Sequence, residues 1–360
     1  MTITSILAPV SGPLSGRVSI LPDEPAWLAE RQAHIGGTDV AAILGLSPWA
    51  GPWDVFSSKR HGTQQERSPE ELVRLAEGRR WERHVLEEYM LERPAVQLLD
   101  QPGILHVTHA AHPWASASPD ALGTEFPSGV MGGVEAKAYG DPDQWNGERV
   151  IVHAPPLEEG AWPIPVHVAV QVLWYLEVTG LPWWDVAVLL PRQRRMPECR
   201  VYRVYSDAAR QRELLERVGE WRERHLVAGV EPTIDGSEAC LRHVVWAHEP
   251  DPAKPIRAAT EEEAALVAAY ASLGRQIQDR EASRAQVRNE LLAAIGSGYG
   301  LTFPGPDGKP AKALAIRAKG RTTISVSDVE KSAPDIFTAL EERGLVKHGE
   351  PSASIRTYNL

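Results

Sequence analysis

The segment SASPDAL at 116–122 carries an aspartate, Asp120, that stands fifteen positions before the glutamate of VEAKA at 134–138. Residues two apart on a strand point to one face. A strand over the second segment would turn Val134 and Ala136 toward a core and project Glu135 and Lys137 together into a cleft. Asp120, ending the preceding strand segment, could meet them across a hairpin. Two carboxylates and a main-chain carbonyl can hold Mg²⁺, a hard cation that takes oxygen ligands. A neighbouring lysine can orient or deprotonate a water attacking a phosphodiester. Alone, the pattern is weak: a turn aspartate followed by a solvated strand face accounts for it too.

Glu82 shifts the balance. In GRRWERHVLEEYM it shares a helical stripe with Val85, Leu86 and Tyr89, which places a carboxylate on the apolar, inward side. An inward acid is rare unless paired or bound to a metal. The other candidate sites are weaker. His106, His109 and His112 lack the partners and spacing of a Cys/His metal centre and read as ordinary strand and loop residues. Trp174, Trp183 and Trp184 read as core rather than as a base-stacking platform. The arginines of PRQRRMPECRVYR and RERHL suit either a DNA backbone or a solvated charged surface.

The elements that must position these residues follow from periodicity and punctuation. Residues 1–22 read as an irregular leader without a cationic signal-peptide start. From Trp27 to about Arg93 the pattern is helical, with Gly36-Gly37-Thr38 opening one helix and Gly45 closing it. Short strands are expected over GILHVT, WASAS, DALGTE and GVEAKA, then a long loop over 139–165. A helix over VHVAVQVLWYLEVTG, strands WDVAVLL and CRVYRVY, and a helix from Asp207 complete a mixed α/β core over 23–254. Beyond 255, a long Ala/Glu/Arg-rich helical arm over 260–296 precedes a small module with strands around TTISVS and SIRTYNL. Heptad-like spacing in the arm is interrupted by Arg280 and Arg284.

The bulk numbers set limits. The 360-residue chain is 43% hydrophobic and 24% charged, the composition of a soluble globular protein. Its formal net charge of -10 excludes a protein that coats nucleic acid by charge alone, but local phosphate contacts remain open to it. Two cysteines, Cys199 and Cys240, cannot build a disulfide framework, a four-thiolate zinc site or an iron–sulfur cluster. A reducing cytoplasm is the expected location.

Five blocks occur in a fixed order: AERQAHIGGTDVAAILGLSPWAGPWDVFSSKRHG, GRRWERHVLEEY, SASPDAL, GGVEAKA and VAVQVLWYLEVTG. Over roughly residues 27–235 the chain resembles the YqaJ-like viral recombinases, relatives of the phage lambda exonuclease within the PD-(D/E)xK nuclease superfamily. The resemblance implies a central mixed sheet flanked by helices. It also implies Mg²⁺-dependent cleavage of double-stranded DNA from a 5′ end, with Mn²⁺ able to substitute. By motif position, Asp120, Glu135 and the Ala136 carbonyl would ligate the metal, and Glu82 would reach it directly or through water. Lys137 would serve the nucleophilic water, and Gln171 matches the glutamine of the following helix. Arg31 and Thr38 match the positions that contact a 5′-phosphate, a role consistent with a helix N-terminus and a bidentate donor. A surface ion pair of Arg31 with Asp39 or Glu30 is the bland alternative.

Three departures from the pattern stand out: Leu173 replaces a second glutamine, residues 146–163 look inserted, and the chain after 255 lies outside the lambda-type core. The resemblance further implies DNA ends as substrate, a single-strand annealing protein as partner in recombination, and a ring trimer as one possible assembly. A structure-specific or nicking endonuclease could use the same site. A catalytically dead DNA-binding adaptor is the alternative of another class, against which the intact acid–lysine set argues.

Overall fold

The apolar run WDVAVLL is too continuous for a strand with one wet face; it suits a strand buried on both. In the computed structural model it lies inside a six-stranded sheet. The structure describes residues 14–62, 69–100, 103–138, 141–145, 148–157, 162–192, 195–248, 253–304, 310–314 and 326–343. The chain divides into two units, Met1–Ala247 and His248–Leu360.

The first unit begins with β1 (Arg17–Leu21), α1 (Glu24–Ala33), α2 (Gly37–Ile43), α3 (Pro52–His61) and α4 (Pro69–Glu92). Then come β2 (Val96–Leu98), β3 (Ile104–Thr108), β4 (Ser116–Ala117), β5 (Ala121–Glu125), β6 (Val130–Lys137) and β7 (Val150–Ile151). Helix α5 (Val166–Thr179), strands β8 (Trp183–Arg192) and β9 (Arg195–Tyr205), and helices α6 (Ala208–Arg222) and α7 (Glu238–Ala247) complete it. The main sheet has the order β2-β5-β6-β8-β9-β7, and β1, β3 and β4 form a smaller antiparallel sheet. Strands β6 and β8 run parallel, as do β7 and β9, while the other neighbours are antiparallel. A parallel pair needs a crossover, and α5 supplies it between β6 and β8. The mixed α/β class with a helix-flanked central sheet is thus the observed one.

Each face of the sheet has its own cover. Twelve residues of α5 are buried, so it is a core helix rather than an amphipathic surface one. It packs with Leu122, Val186, Val188 and Val204 on one side. On the other, Val85 and Tyr89 of α4 pack against Ala121, Val134, Trp183, Ala187 and Val201. Gly132 and Gly133 are required by close approach: a Cβ there would fall 2.2 Å and 2.5 Å from the rings of Trp183 and Trp184. Trp174, Trp183 and Trp184 are all core residues, at most 2% exposed.

Two local expectations change. Residues 17–21, read as part of an irregular leader, form β1 against β3, because Val18 and the flanking small sheet bury one side of the segment. The stretch 139–165, read as a loop, contributes β7 and buries Trp145, Ile151, Leu157, Trp162 and Ile164. The Trp145 carbonyl accepts hydrogen bonds from Arg200 and Tyr202, which ties that stretch to β9.

In the second unit, α8 (Glu261–Ile295) is capped by Thr260, whose hydroxyl accepts from the Glu263 N–H while Glu263 accepts from the Thr260 N–H. No residue of α8 is buried. A hairpin, β10 (Gly300–Pro304) and β11 (Pro310–Leu314), and the helices α9 (Val326–Ser332) and α10 (Pro334–Glu342) follow. Of the expected TTISVS strand, Val326 and Ser327 open α9 instead, and the rest lies outside the described residues, as does SIRTYNL.

Candidate nuclease site

The hairpin of β5 and β6 sets the first carboxylates. Ala121 pairs with Val134, so Asp120, immediately before β5, falls opposite Glu135. The Ala136 N–H donates to Asp120 Oδ2 at 2.7 Å. Alternation then does what the sequence implies: Val134 enters the core under α4, whereas Glu135 and Lys137 turn to the side covered by α5. There Lys137 Nζ donates to Glu135 Oε1 at 2.6 Å and to Gln171 Oε1 at 3.1 Å. Gln171 Nε2 donates to Glu135 Oε1 at 2.8 Å and to the Tyr175 hydroxyl at 3.0 Å. Glu135 is 4% exposed, and its second oxygen, Oε2, is buried with no hydrogen-bond partner among the described residues.

The electrostatics are strained toward excess acid. Burial, then Glu135, then Glu82 hold the Asp120 carboxyl well above its usual pKa. Burial pulls Lys137 down, but Glu135 and Asp120 outweigh it, so the net shift is upward and the side chain is an ammonium. Glu82 on α4 is half-buried and acts on both Asp120 and Lys137. Asp120, Glu135, Lys137 and Gln171 are therefore one connected group, and Glu82 belongs to its field.

Two members of the site went unread in the sequence. His167 stands one turn before Gln171 on α5, and burial together with Lys137 pushes its pKa down to about 4. Tyr175 stands one turn after Gln171, raised by burial, Glu135 and Asp120. The signal was present as a polar row at spacing four, His167, Gln171, Tyr175, in an otherwise apolar helix.

The second expected group also assembles. Arg31 Nη2 donates to Thr38 Oγ1 at 3.1 Å, lies 3.9 Å from Asp39 Oδ1, and stands over the Trp27 ring at 5.2 Å. Asp39 accepts from the Gly36 N–H and pairs with the buried Lys59 at 2.8 Å, a partner the sequence did not reveal. Asp39 thus caps α2 and neutralises Lys59, which leaves the half-exposed Arg31 guanidinium open toward solvent. Gly37 brings the two groups together: a Cβ there would meet Gln171 Cγ and Tyr175 Cε1 at 2.8 Å. The entry to α2 rests directly on the α5 face that carries the acid–lysine cluster.

A third cluster involves a histidine read as ordinary. Glu30, His34 and His106 each bring one ligand atom within 4.8 Å of the others. His109 and His112 are not part of it; their rings lie 5.0 Å apart, tilted by 40°, with His109 beside Glu177.

No curated protein matches the chain. Among solved structures, an alkaline exonuclease from Laribacter hongkongensis is similar at 18% identity and a TM-score of 0.41, covering 57% of this chain and 94% of that one. Its complex with dAMP gives the same figures. The model of the YqaJ-like viral recombinase domain matches residues 26–182, a span that includes Arg31, Thr38, Glu82, Asp120, Glu135, Lys137 and Gln171. Over those residues the chain is similar to the YqaJ-like viral recombinase domain.

Proposed function

We propose that the protein is a Mg²⁺-dependent phage or prophage deoxyribonuclease that resects double-stranded DNA from 5′ ends for single-strand-annealing recombination. The observation that carries this reading is the uncompensated acid at the β5–β6 hairpin. Two carboxylates face one another beside a third, and Glu135 Oε2 is buried without a hydrogen-bond partner among the described residues. Burying such an oxygen unpaired is costly, and an oxygen-seeking cation relieves both the repulsion and the missing contact. Asp120, Glu135 and the Ala136 carbonyl would hold the cation, with Glu82 directly or through water. Bound there, it would supply Lewis-acid chemistry toward the phosphodiester and the attacking water.

The chain's own residues do the rest. Lys137, held as an ammonium, acts by donating hydrogen bonds to the attacking water and to the developing negative charge rather than by removing a proton. Gln171 fixes Lys137 and Glu135 through its amide, so the glutamine sets the orientation of both. His167 stays neutral beside Lys137 and adds a polar group without a competing charge. Arg31 and Thr38 form the group suited to a terminal phosphate, whose extra charge and oxygens match a guanidinium fork.

The test uses linear and closed circular duplex of one sequence, with Mg²⁺ or with EDTA. Loss of linear DNA alone, with release from the 5′-labelled strand first, is the expected result. Equal attack on the closed circle would favour a nicking endonuclease with the same site. Tight duplex binding without cleavage in Mg²⁺ or Mn²⁺ would favour an adaptor.

A further inference from the structure

We propose that Glu30, His34 and His106 form a second cation site, of Zn²⁺ chemistry, that ties the C-terminal end of α1 to β3. The inference is independent of the nuclease reading. Its first observation is convergence: one ligand atom from each residue lies within 4.8 Å of the others, and the imidazoles stand 5.3 Å apart. Its second is the state of His106. That side chain is 2% exposed, and its Nε2 is buried without a hydrogen-bond partner among the described residues. Nε2 faces Glu30 Oε2 at 3.8 Å, beyond hydrogen-bond reach.

The other ring nitrogen explains the orphan. His106 Nδ1 lies 3.4 Å from Ser118 Oγ, an oxygen that accepts from Trp27 Nε1 at 3.0 Å. With its proton on Nδ1 and aimed at Ser118, a neutral His106 leaves the Nε2 lone pair facing a carboxylate. A buried ring nitrogen facing a half-exposed carboxylate is a place a cation can bridge, and a hydrogen bond through the partner nitrogen is how ligating imidazoles are fixed. His34 sits at the helix end, where its Nδ1–H donates to the Glu30 carbonyl at 2.7 Å, which leaves Nε2 as the ring nitrogen open to a cation. Ligands bound tetrahedrally at about 2.0–2.2 Å stand about 3.3 Å from one another. The His106 Nε2–Glu30 Oε2 pair, at 3.8 Å, needs to close by a few tenths of an ångström, and the three ligand atoms, within 4.8 Å of one another, draw together on binding. Two imidazole nitrogens and one carboxylate suit Zn²⁺ and leave a fourth position for water. The consequence is local rigidity. Trp27 anchors on Ser118 while Arg31 stands over its ring, so a cation here fixes the helix turn that presents Arg31.

The experiment uses full-length protein stripped with EDTA and titrated with Zn²⁺ alone, following bound metal by calorimetry and melting temperature in parallel. An Asp120→Asn/Glu135→Gln double variant removes the other acidic centre. Expected is one tight Zn²⁺ per chain, retained in that double variant, with a rise in melting temperature. Replacing Zn²⁺ by Co²⁺ should give a visible absorption band of four-coordinate type. His106→Gln and His34→Gln should each weaken Zn²⁺ by at least about tenfold and abolish the band. Should His106→Gln misfold, His34→Gln and Glu30→Gln, both at half-buried positions, carry the same test. Absence of tight Zn²⁺ binding overturns the proposal, leaving a buried His–Glu contact. So does binding that survives both His34→Gln and Glu30→Gln, or that vanishes only with Asp120→Asn/Glu135→Gln.

Discussion

Two acids of the main-sheet region, Asp185 and Asp120, have opposite surroundings. Asp185 on β8 is fully buried, yet each of its oxygens is answered. Arg203 Nε and Nη2 donate to it at 2.7 Å and 2.8 Å, and the Tyr89 hydroxyl donates at 2.8 Å. Arg203 also reaches Glu125 at 2.6 Å and stacks on Trp183 at 4.0 Å. Burial would lower the guanidinium pKa, but the bonds to Asp185 outweigh it and the net shift is upward. Asp120 accepts from the Ala136 N–H and feels Lys137 through space, but it also feels the like charges of Glu135 and Glu82. The satisfied group holds α4, β5, β8 and β9 together. The other group gathers like charge, with Glu135 Oε2 lacking a hydrogen-bond partner among the described residues. Burial alone therefore does not single out a candidate functional acid; like charge and a missing partner beside it do.

Breaking each group should give opposite signatures. The largest effect is expected at the unsatisfied one. Asp120→Ala or Glu135→Ala should lower Mg²⁺-dependent cleavage by about a thousandfold or more, the loss of several kcal/mol of charge stabilisation. Melting in EDTA should hold or rise, because a repulsive pair has been relieved. Unchanged rates in both variants would remove this site from the mechanism.

At the satisfied group the order reverses. Asp185→Ala strands Arg203 and Tyr89 and should cost about 3–5 kcal/mol in urea unfolding. Cleavage per folded molecule should persist. A stable Asp185→Ala that has lost cleavage would mean that the two groups are one functional unit.

A smaller effect is expected at Arg31. Charge-assisted hydrogen bonds contribute about 1.5–3 kcal/mol. Wild type should therefore degrade 5′-phosphorylated duplex about tenfold to a hundredfold faster than 5′-hydroxyl duplex. Arg31→Ala should erase most of that gap with little change in melting. If Arg31 is only an ion-pair partner of Asp39, the variant loses stability and keeps the preference.

The smallest is a pH effect on the metal-free protein. Asp120 has a folded pKa raised above 3.8, so the folded state binds more protons than the unfolded state in the window above that value. Its contribution is present at low pH and is lost as pH rises through the folded pKa. Melting of wild type in EDTA should fall relative to Asp120→Asn as pH increases, and Mg²⁺ should close the difference. Parallel pH curves for the two proteins would show that the carboxyl is not held up by its neighbours.

The sequence by itself determined the alternation that puts Glu135 and Lys137 on one strand face, because a period of two allows no other outcome once Val134 is in the core. It determined the core helix α5, whose apolar run leaves one polar row, and the capped arm α8, whose Thr260 and Glu263 are local signals. It also determined that Arg31 and Thr38 would sit near a helix start, since the glycines between them stop one helix and open the next. The tertiary structure decided what pairing across long separations requires. Lys59 neutralises Asp39 from another helix, and Trp145 binds β9 from within a stretch that reads as loop. Asp185 and Arg203 meet through strand register, while Glu30, His34 and His106 converge from a helix end and a separate strand. No local pattern encodes those meetings, because the distance between two side chains on different elements is set by how the elements pack. The same holds for the charge balance at Asp120: each acid is legible in the sequence, but their excess over Lys137 exists only where the fold brings them into one low-dielectric space.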